Sequence, residues 1–220
     1  MLVCNPFLKS LSLEGLKGII FDCDGVLFDS RDINVRFYNQ VRSFFDLPPM
    51  SRQQEEYAHT HSVKDSLAHI LPEGYEARLE QVRDRLDYSR LLPSMRMEDG
   101  LVELMDFLIL KDVRTAINTN RTNTMSLLLT TFGLERYFWP VITAADVSRP
   151  KPHPESLFKI MDQWSFMPHE VVFIGDSVVD QETALGAGVP FWAFKNENLQ
   201  ARMLIPDFWT LREFLMRNLQ

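Results

Sequence analysis

Two short apolar runs, Gly18-Ile19-Ile20-Phe21 and Val171-Val172-Phe173-Ile174, each lead straight into aspartates. The first is followed by Asp22-Cys23-Asp24-Gly25 and the second by Gly175-Asp176-Ser177-Val178-Val179-Asp180. Apolar runs of this length, bounded by Gly and acidic residues, read as fully buried parallel strands. In an open parallel sheet, sites form outside the carboxyl ends of the strands, where the strand order reverses. Two strands that both end in aspartate therefore predict one acidic pocket assembled from distant parts of the chain. Carboxylates crowded together repel unless a cation lies among them, and hard oxygen donors suit Mg2+.

The 220 residues are enough to bury a proper core, as one domain with a large insertion or as two small domains. A formal net charge of −7 argues against general nucleic-acid binding, which needs a basic face. It does not argue against an anionic substrate, because a bound metal ion and a few local cations set the field inside a site. Cys4 and Cys23 are the only cysteines, so no disulfide framework is implied. Cys23 is expected to be a small buried residue rather than a reactive thiol. No apolar run is long enough to span a bilayer and no leader is evident, which predicts a cytoplasmic protein without a membrane partner.

From about Arg31 to Leu92 the periodicity is helical. Ile33, Phe37, Val41 and Phe44 share one face, and Tyr75, Leu79, Val82 and Leu86 another. Pro48-Pro49 and the Pro72–Gly74 region mark breaks, Ser51 with Gln54 offers a capping box, and Pro93 closes the module. From Asp99 onward helices and strands alternate. Helical stripes run through Leu101, Leu104, Met105 and Leu108, then Met125, Leu128, Leu129 and Phe132, then Leu157, Ile160, Met161 and Trp164. Strands are expected over 113–119, 141–143 and, as the last one, 189–194. Thr210 with Glu213 is expected to cap a terminal helix. This alternation predicts an α/β fold, a Rossmann-like parallel sheet with an inserted all-α module. The expected division is a core of residues 1–30 and 94–220 and a helical insertion of residues 31–93.

Asp22 to Gly25, Thr119 at the end of the second core strand, Lys151-Pro152-His153-Pro154, and Gly175-Asp176 with Asp180 resemble, in order and separation, the four motifs of the haloacid dehalogenase superfamily. They bracket nearly the whole chain. The insertion resembles that superfamily's small helical cap, as in phosphoglycolate phosphatase and β-phosphoglucomutase relatives. The resemblance implies a Mg2+-dependent phosphatase. Asp22 would be the nucleophile, forming an aspartyl-phosphate that splits one hard displacement into two easier ones. Asp24 would protonate the leaving alkoxide and then activate water. Thr119, Asn120 and Lys151 would bind the phosphoryl group, and Asp22, Asp24 (through its backbone carbonyl), Asp176 and Asp180 would hold the metal.

The expected substrate is a small phosphorylated metabolite handled by a monomer or homodimer. Arg31, Arg36, His59, His61 and Lys64 are the cap residues that stand out as specificity candidates. A phosphomutase would keep all four motifs, and a non-catalytic binding protein could lose any of them. A dehalogenase would not need Asp24 together with Asp176. Thr115 and Asn118 interrupt an otherwise apolar strand. Asn118 is therefore expected either to hydrogen-bond near the site or to lie on an exposed face, because a buried amide without partners costs about 1–3 kcal/mol.

Overall fold

The computed structural model describes residues 1–5, 13–82 and 91–219. In chain order the elements are β1 (Leu2–Val3), β2 (Gly18–Phe21), β3 (Phe28–Asp29), α1 (Arg31–Ser43), α2 (Arg52–Thr60), α3 (Val63–Ile70) and α4 (Glu76–Val82), followed by β4 (Arg96–Met97), α5 (Leu101–Leu110), β5 (Arg114–Asn118), α6 (Met125–Phe132) and β6 (Val141–Ile142). The chain then continues through α7 (Glu155–Trp164), β7 (Val171–Gly175), α8 (Val178–Ala187), β8 (Phe191–Phe194), β9 (Met203–Ile205) and α9 (Phe208–Asn218).

Seven of these strands form one sheet in the order β1-β9-β8-β7-β2-β5-β6, and all of its pairings are parallel. β2 lies inside the sheet, between β7 and β5, and each of its residues is buried. Its side chains alternate between the two faces, as the pleat requires. Ile19 and Phe21 join a cluster with Leu104 of α5, Leu128 of α6 and Phe214 of α9. Ile20 joins a second cluster with Leu157 and Ile160 of α7 and Ala184 of α8. Phe21 meets Phe138 and Phe208 edge-on, at ring-centroid distances of 6.1 and 6.2 Å. The result is a sheet with helices on both faces.

From β2 the chain builds outward through β5 to β6, then crosses back to build β7, β8 and β9 on the other side. The reversal falls between β2 and β7, where Phe21 pairs with Ile174. The pairing continues past the strand, with the Asp22 amide donating to the Ile174 carbonyl at 2.9 Å. The acidic segments after the two strands are therefore neighbours.

Between β2 and β5 an antiparallel stem, β3 with β4, brackets the inserted helices. These helices carry an apolar cluster of their own, including Tyr38, Val41, Phe45, Met50, Ile70 and Leu71. The Arg42 side chain is buried there and donates to the carbonyls of Pro48, at 2.7 Å, and Ile70. Ser51 and Gln54 form the expected capping box at the start of α2. Leu86, expected on the α4 stripe, lies outside the described residues.

Three expectations need correction. The strand at 191–194 is not the last, because Met203–Ile205 extends the sheet beyond it. Three residues ahead of a proline are too few to show a period. The terminal helix is capped by Asp207, whose carboxylate accepts from the Thr210 amide at 2.7 Å, so Thr210 lies inside the first turn rather than at its edge. Asn118 is neither exposed nor hydrogen-bonded. It is 1% exposed, and neither polar atom of its side chain has a partner among the described residues. Thr115, the other polar strand residue, is satisfied by the Tyr137 carbonyl. Replacing the unpartnered amide by an apolar side chain that suits a strand should relieve a desolvation cost of about 1–3 kcal/mol. Asn118→Val is accordingly expected to raise the thermal midpoint by about 2–12 °C, measured by calorimetry.

Candidate active site

Asp22 leaves the end of β2 at the floor of a cavity of about 580 Å³, which lies between the sheet's carboxyl edge and the inserted helices. One of its oxygens is 2.8 Å from the Lys151 ammonium. The same ammonium donates to Asp180 Oδ1 at 2.6 Å, so one buried cation bridges two carboxylates. Burial alone would lower the affinity of Lys151 for its proton, but Asp180 and Asp22 overcome it and hold the ammonium firmly charged. The backbone of Lys151 is fixed in turn by Asn120. The Asn120 amide donates to the Lys151 carbonyl and accepts from its N–H, both at 3.1 Å.

Asp180 sits at the third position of α8, in a reciprocal capping box with Ser177. Its Oδ2 accepts from the Ser177 hydroxyl at 2.6 Å and from the Ser177 amide at 3.2 Å. Both oxygens are thus engaged, and the side chain is wholly buried. Helix cap and charge partner are one residue. Asp176 follows β7 and faces the same pocket, its main-chain carbonyl held by Asn196 Nδ2 at 2.8 Å.

Asp24 is held differently. The Arg121 guanidinium grips it with two bonds, Nε at 2.8 Å and Nη2 at 2.6 Å, while Ser30 and Asn34 also donate to it. Burial would raise the Asp24 carboxyl, yet Arg121 and the Ser30 hydroxyl outweigh burial and hold it at about 2. Asp22 goes the other way, pushed up to about 7 by burial and by the charge of Asp180. Burial together with Asp180 and Asp22 likewise carries Asp176 well above the carboxylate range. Two carboxylates two residues apart are therefore shifted in opposite directions, Asp22 upward by burial and Asp180, and Asp24 downward by the Arg121 guanidinium.

Oxygens of Asp22, Asp176 and Asp180 lie within 4.8 Å of one another. The fit of this group to a divalent cation can be tested on its own electrostatics. Among the described residues, four aspartates face two fixed cations, Lys151 and Arg121. Burial raises the carboxyls of Asp22 and Asp176 most, and the neighbouring aspartates add to it. An all-oxygen donor set with surplus negative charge suits Mg2+. Glycines let the acidic side chains approach the backbone: a Cβ on Gly25, whose φ is +77°, would lie 2.0 Å from Asp176 Oδ2, and one on Gly175 would lie 2.4 Å from Asp180 Cβ. Both positions thus exclude a side chain.

All seven residues singled out from sequence are close together. Asp22, Asp24, Thr119, Asn120, Lys151 and Asp176 line the cavity, with Asp180 buried behind Lys151. Of the cap candidates, His59 and His61 line it, whereas Arg31, Arg36 and Lys64 are exposed. His59 Nε2 stands 3.9 Å from Asp176, and burial lowers its proton affinity. Arg121, Ser30 and Asn34 escaped the sequence reading. A cation directly after Thr119-Asn120 is a usable signal; Ser30 and Asn34 carry none, since only the fold brings them to Asp24. Cys23 is fully buried, its thiol pushed well up by burial, and is no nucleophile.

A family model for haloacid dehalogenase-like hydrolases matches residues 19–194. The chain is 26% identical over 187 residues to a phosphorylated carbohydrates phosphatase of Thermotoga maritima, covering 79% of this chain and 82% of that protein. It is 27% identical over 188 residues to a phosphoglycolate phosphatase of Pectobacterium atrosepticum, covering 80% and 79%. Among solved structures, a haloacid dehalogenase-superfamily hydrolase of subfamily IA from Geobacter sulfurreducens superposes with a TM-score of 0.73 at 37% identity, covering 93% of this chain and 97% of that one. The chain belongs to the haloacid dehalogenase-like hydrolase family. It is an enzyme of the hydrolase class and groups with phosphatases.

Gly25 offers a test of the site's spacing. Gly25→Ala should drive Asp176 away from Asp22, and a displacement of about 1 Å at such a centre costs about 10²-fold in rate. Turnover is expected to fall by that factor or more while the thermal midpoint moves only a few degrees (~2–4 °C per kcal/mol).

Proposed function

We propose that this chain is a Mg2+-dependent phosphomonoesterase that hydrolyses a small phosphorylated metabolite through an aspartyl-phosphate on Asp22. The observation that carries the reading is the pairing of Asp22, beside Lys151 and two further carboxylates, with Asp24 held apart by Arg121. Two aspartates in such different surroundings suit two different tasks.

In the first half-reaction an Asp22 oxygen attacks phosphorus while the bond to the alcohol oxygen breaks. Lys151 stabilises charge on the nucleophile and on the phosphoryl group, and the Thr119 hydroxyl donates to a phosphoryl oxygen. Asn120 acts through Lys151, whose backbone it holds. Asp24 gives its proton to the departing alkoxide. In the second half-reaction Asp24 takes a proton from water, the water oxygen attacks phosphorus, and the bond to Asp22 breaks to release inorganic phosphate. The carboxylate form held by Arg121 suits the second step. Protonation for the first requires Arg121 to let go, and the guanidinium then has the incoming phosphoryl oxygens as its partner.

Mg2+ would be held by Asp22, Asp176 and the Asp24 main-chain carbonyl, with Asp180 orienting the set, and would supply charge neutralisation for the phosphoryl oxygens. The helices between residues 31 and 93 would act as a cap over a core of residues 1–30 and 94–220, excluding water from the reacting group. We place the enzyme in the cytoplasm as a monomer or homodimer, with no nucleic-acid or membrane partner.

Release of inorganic phosphate from an aryl phosphate is expected to need Mg2+ and to stop when a chelator is added. Turnover that survives thorough removal of metal would refute the mechanism. Intact-mass spectrometry of the protein quenched during turnover should show a phospho-adduct that is absent from Asp22→Asn. An adduct on that variant would move the nucleophile to another residue.

A further inference from the structure

Three of the four aspartates are gripped through their carboxylates. Lys151 engages Asp22 and Asp180, and Arg121 engages Asp24. Asp176 is held another way. Among the described residues its carboxylate accepts no hydrogen bond, and His59 Nε2 comes only to within 3.9 Å of it.

The aim of Asp176 is set by its backbone. The peptide group that joins it to Ser177 is held at both ends. The Asp176 carbonyl accepts from Asn196 Nδ2 at 2.8 Å, and the Ser177 N–H donates to Asp180 Oδ2 at 3.2 Å. A peptide unit is planar, so bonds at its two ends fix its orientation. On the other side of Asp176, Gly175 is fixed by its pairing with Ala193. The Cα of Asp176, and with it the direction of the side chain, therefore has little freedom. The same bonds run on from Asp180 through Lys151 to Asp22, so the grip on Asp176 belongs to one network.

Asn196 is itself well fixed. It follows β8, the strand paired with β7. Its Oδ1 accepts from the Asn198 N–H at 3.1 Å, which leaves Nδ2 to meet Asp176. An N–H on one side and a carbonyl on the other suit a carboxamide, whereas a carboxylate would set oxygen against oxygen. The loop is anchored on both flanks. The Lys195 N–H donates to the Ile205 carbonyl at 2.8 Å, and the Gln200 N–H donates to Gln181 Oε1 of α8 at 2.6 Å.

We infer that Asn196 is a positioning residue of the metal centre, which holds the 176–177 peptide so that Asp176 is aimed at the divalent cation before the ion binds. This rests on the metal-dependent reading above and adds a residue that acts only through Asp176. A ligand already in place loses less freedom on binding, so the clamp acts on affinity for the ion.

The test measures Mg2+ binding to the full-length protein by isothermal titration calorimetry, without substrate. Asn196→Ser keeps a hydroxyl for the Asn198 N–H but is too short to reach the Asp176 carbonyl. Gln181→Ala removes the loop's other anchor and leaves the clamp in place. Loss of a partner behind a metal ligand weakens binding by about 10–100-fold. Here a carbonyl rather than the carboxylate is held, so the Kd for Mg2+ should rise by about tenfold in Asn196→Ser. It should stay at the wild-type value in Gln181→Ala. At saturating Mg2+ kcat should change little, because the bound ion then holds Asp176 itself. A merely structural role would lower the thermal midpoint of the metal-free protein and leave Kd unchanged.

The wild type supplies a second measurement. Coupling is reciprocal, so Mg2+ must stabilise the clamp as much as the clamp favours Mg2+. Exchange of the Asn198 amide reports on the Asn196 side chain and should slow by about tenfold when Mg2+ saturates the site. Wild-type affinity in folded Asn196→Ser overturns the inference, as does an equal loss in Gln181→Ala. An Asn198 amide indifferent to Mg2+ overturns it too, and decides alone if Asn196→Ser does not fold. A wild type that binds no Mg2+ refutes the metal-dependent reading itself, and the inference with it.

Discussion

A single buried ammonium holds the site together. Lys151 reaches Asp22 at 2.8 Å and Asp180 at 2.6 Å, and so ties the strand β2 exit to the start of α8 through the loop before α7. Taking a charge out of water is costly unless the partners are close and well aligned, and losing one partner of a buried pair costs about 3–5 kcal/mol. Here the alignment is enforced from both sides. Asn120 clamps the lysine backbone through two hydrogen bonds of its side-chain amide, and Ser177 locks Asp180 into a helix cap. The nucleophile candidate is therefore positioned by a chain of bonds in which each member has few alternatives.

The sheet supplies the rest of that precision. Because β2 and β7 are adjacent and parallel, and lie on either side of the strand-order reversal, their acidic ends face one pocket without any long loop. The two glycines flanking the aspartates let the segments approach more closely than any side chain would allow. The cost of this crowding is visible in Asp22 and Asp176, whose carboxyls are raised by burial and mutual repulsion. Such a centre favours a divalent cation without needing a large number of ligands.

Asp24 shows how the same neighbourhood can produce an opposite result. It lies two residues from Asp22, yet Arg121 from after β5 and Ser30 and Asn34 from the start of α1 come to it and hold its carboxyl low. The inserted helices matter here in a second way, since α1 supplies Asn34 to Asp24 and also Phe37 and Val41 to the cavity wall. The element that shapes the far end of the pocket thus also touches the residue proposed to move the proton. One helix borders the cavity and touches Asp24.

Much of this was legible in the chain itself. The apolar runs before Asp22 and Asp176 announced buried parallel strands, and the helical stripes of α5, α6 and α7 fell where periodicity put them, because a residue's burial in a regular element follows from its local spacing. The capping box at Ser51 was readable for the same reason. What local spacing cannot carry is the partner of a side chain from another segment. Arg121 meeting Asp24, 97 positions away, Asn118 buried without a partner, and β9 joining the sheet through three residues were decided by packing. The sequence alone determined which aspartates exist at strand ends. Only the tertiary structure decided which of them a cation reaches, because charge and burial act through space rather than along the chain.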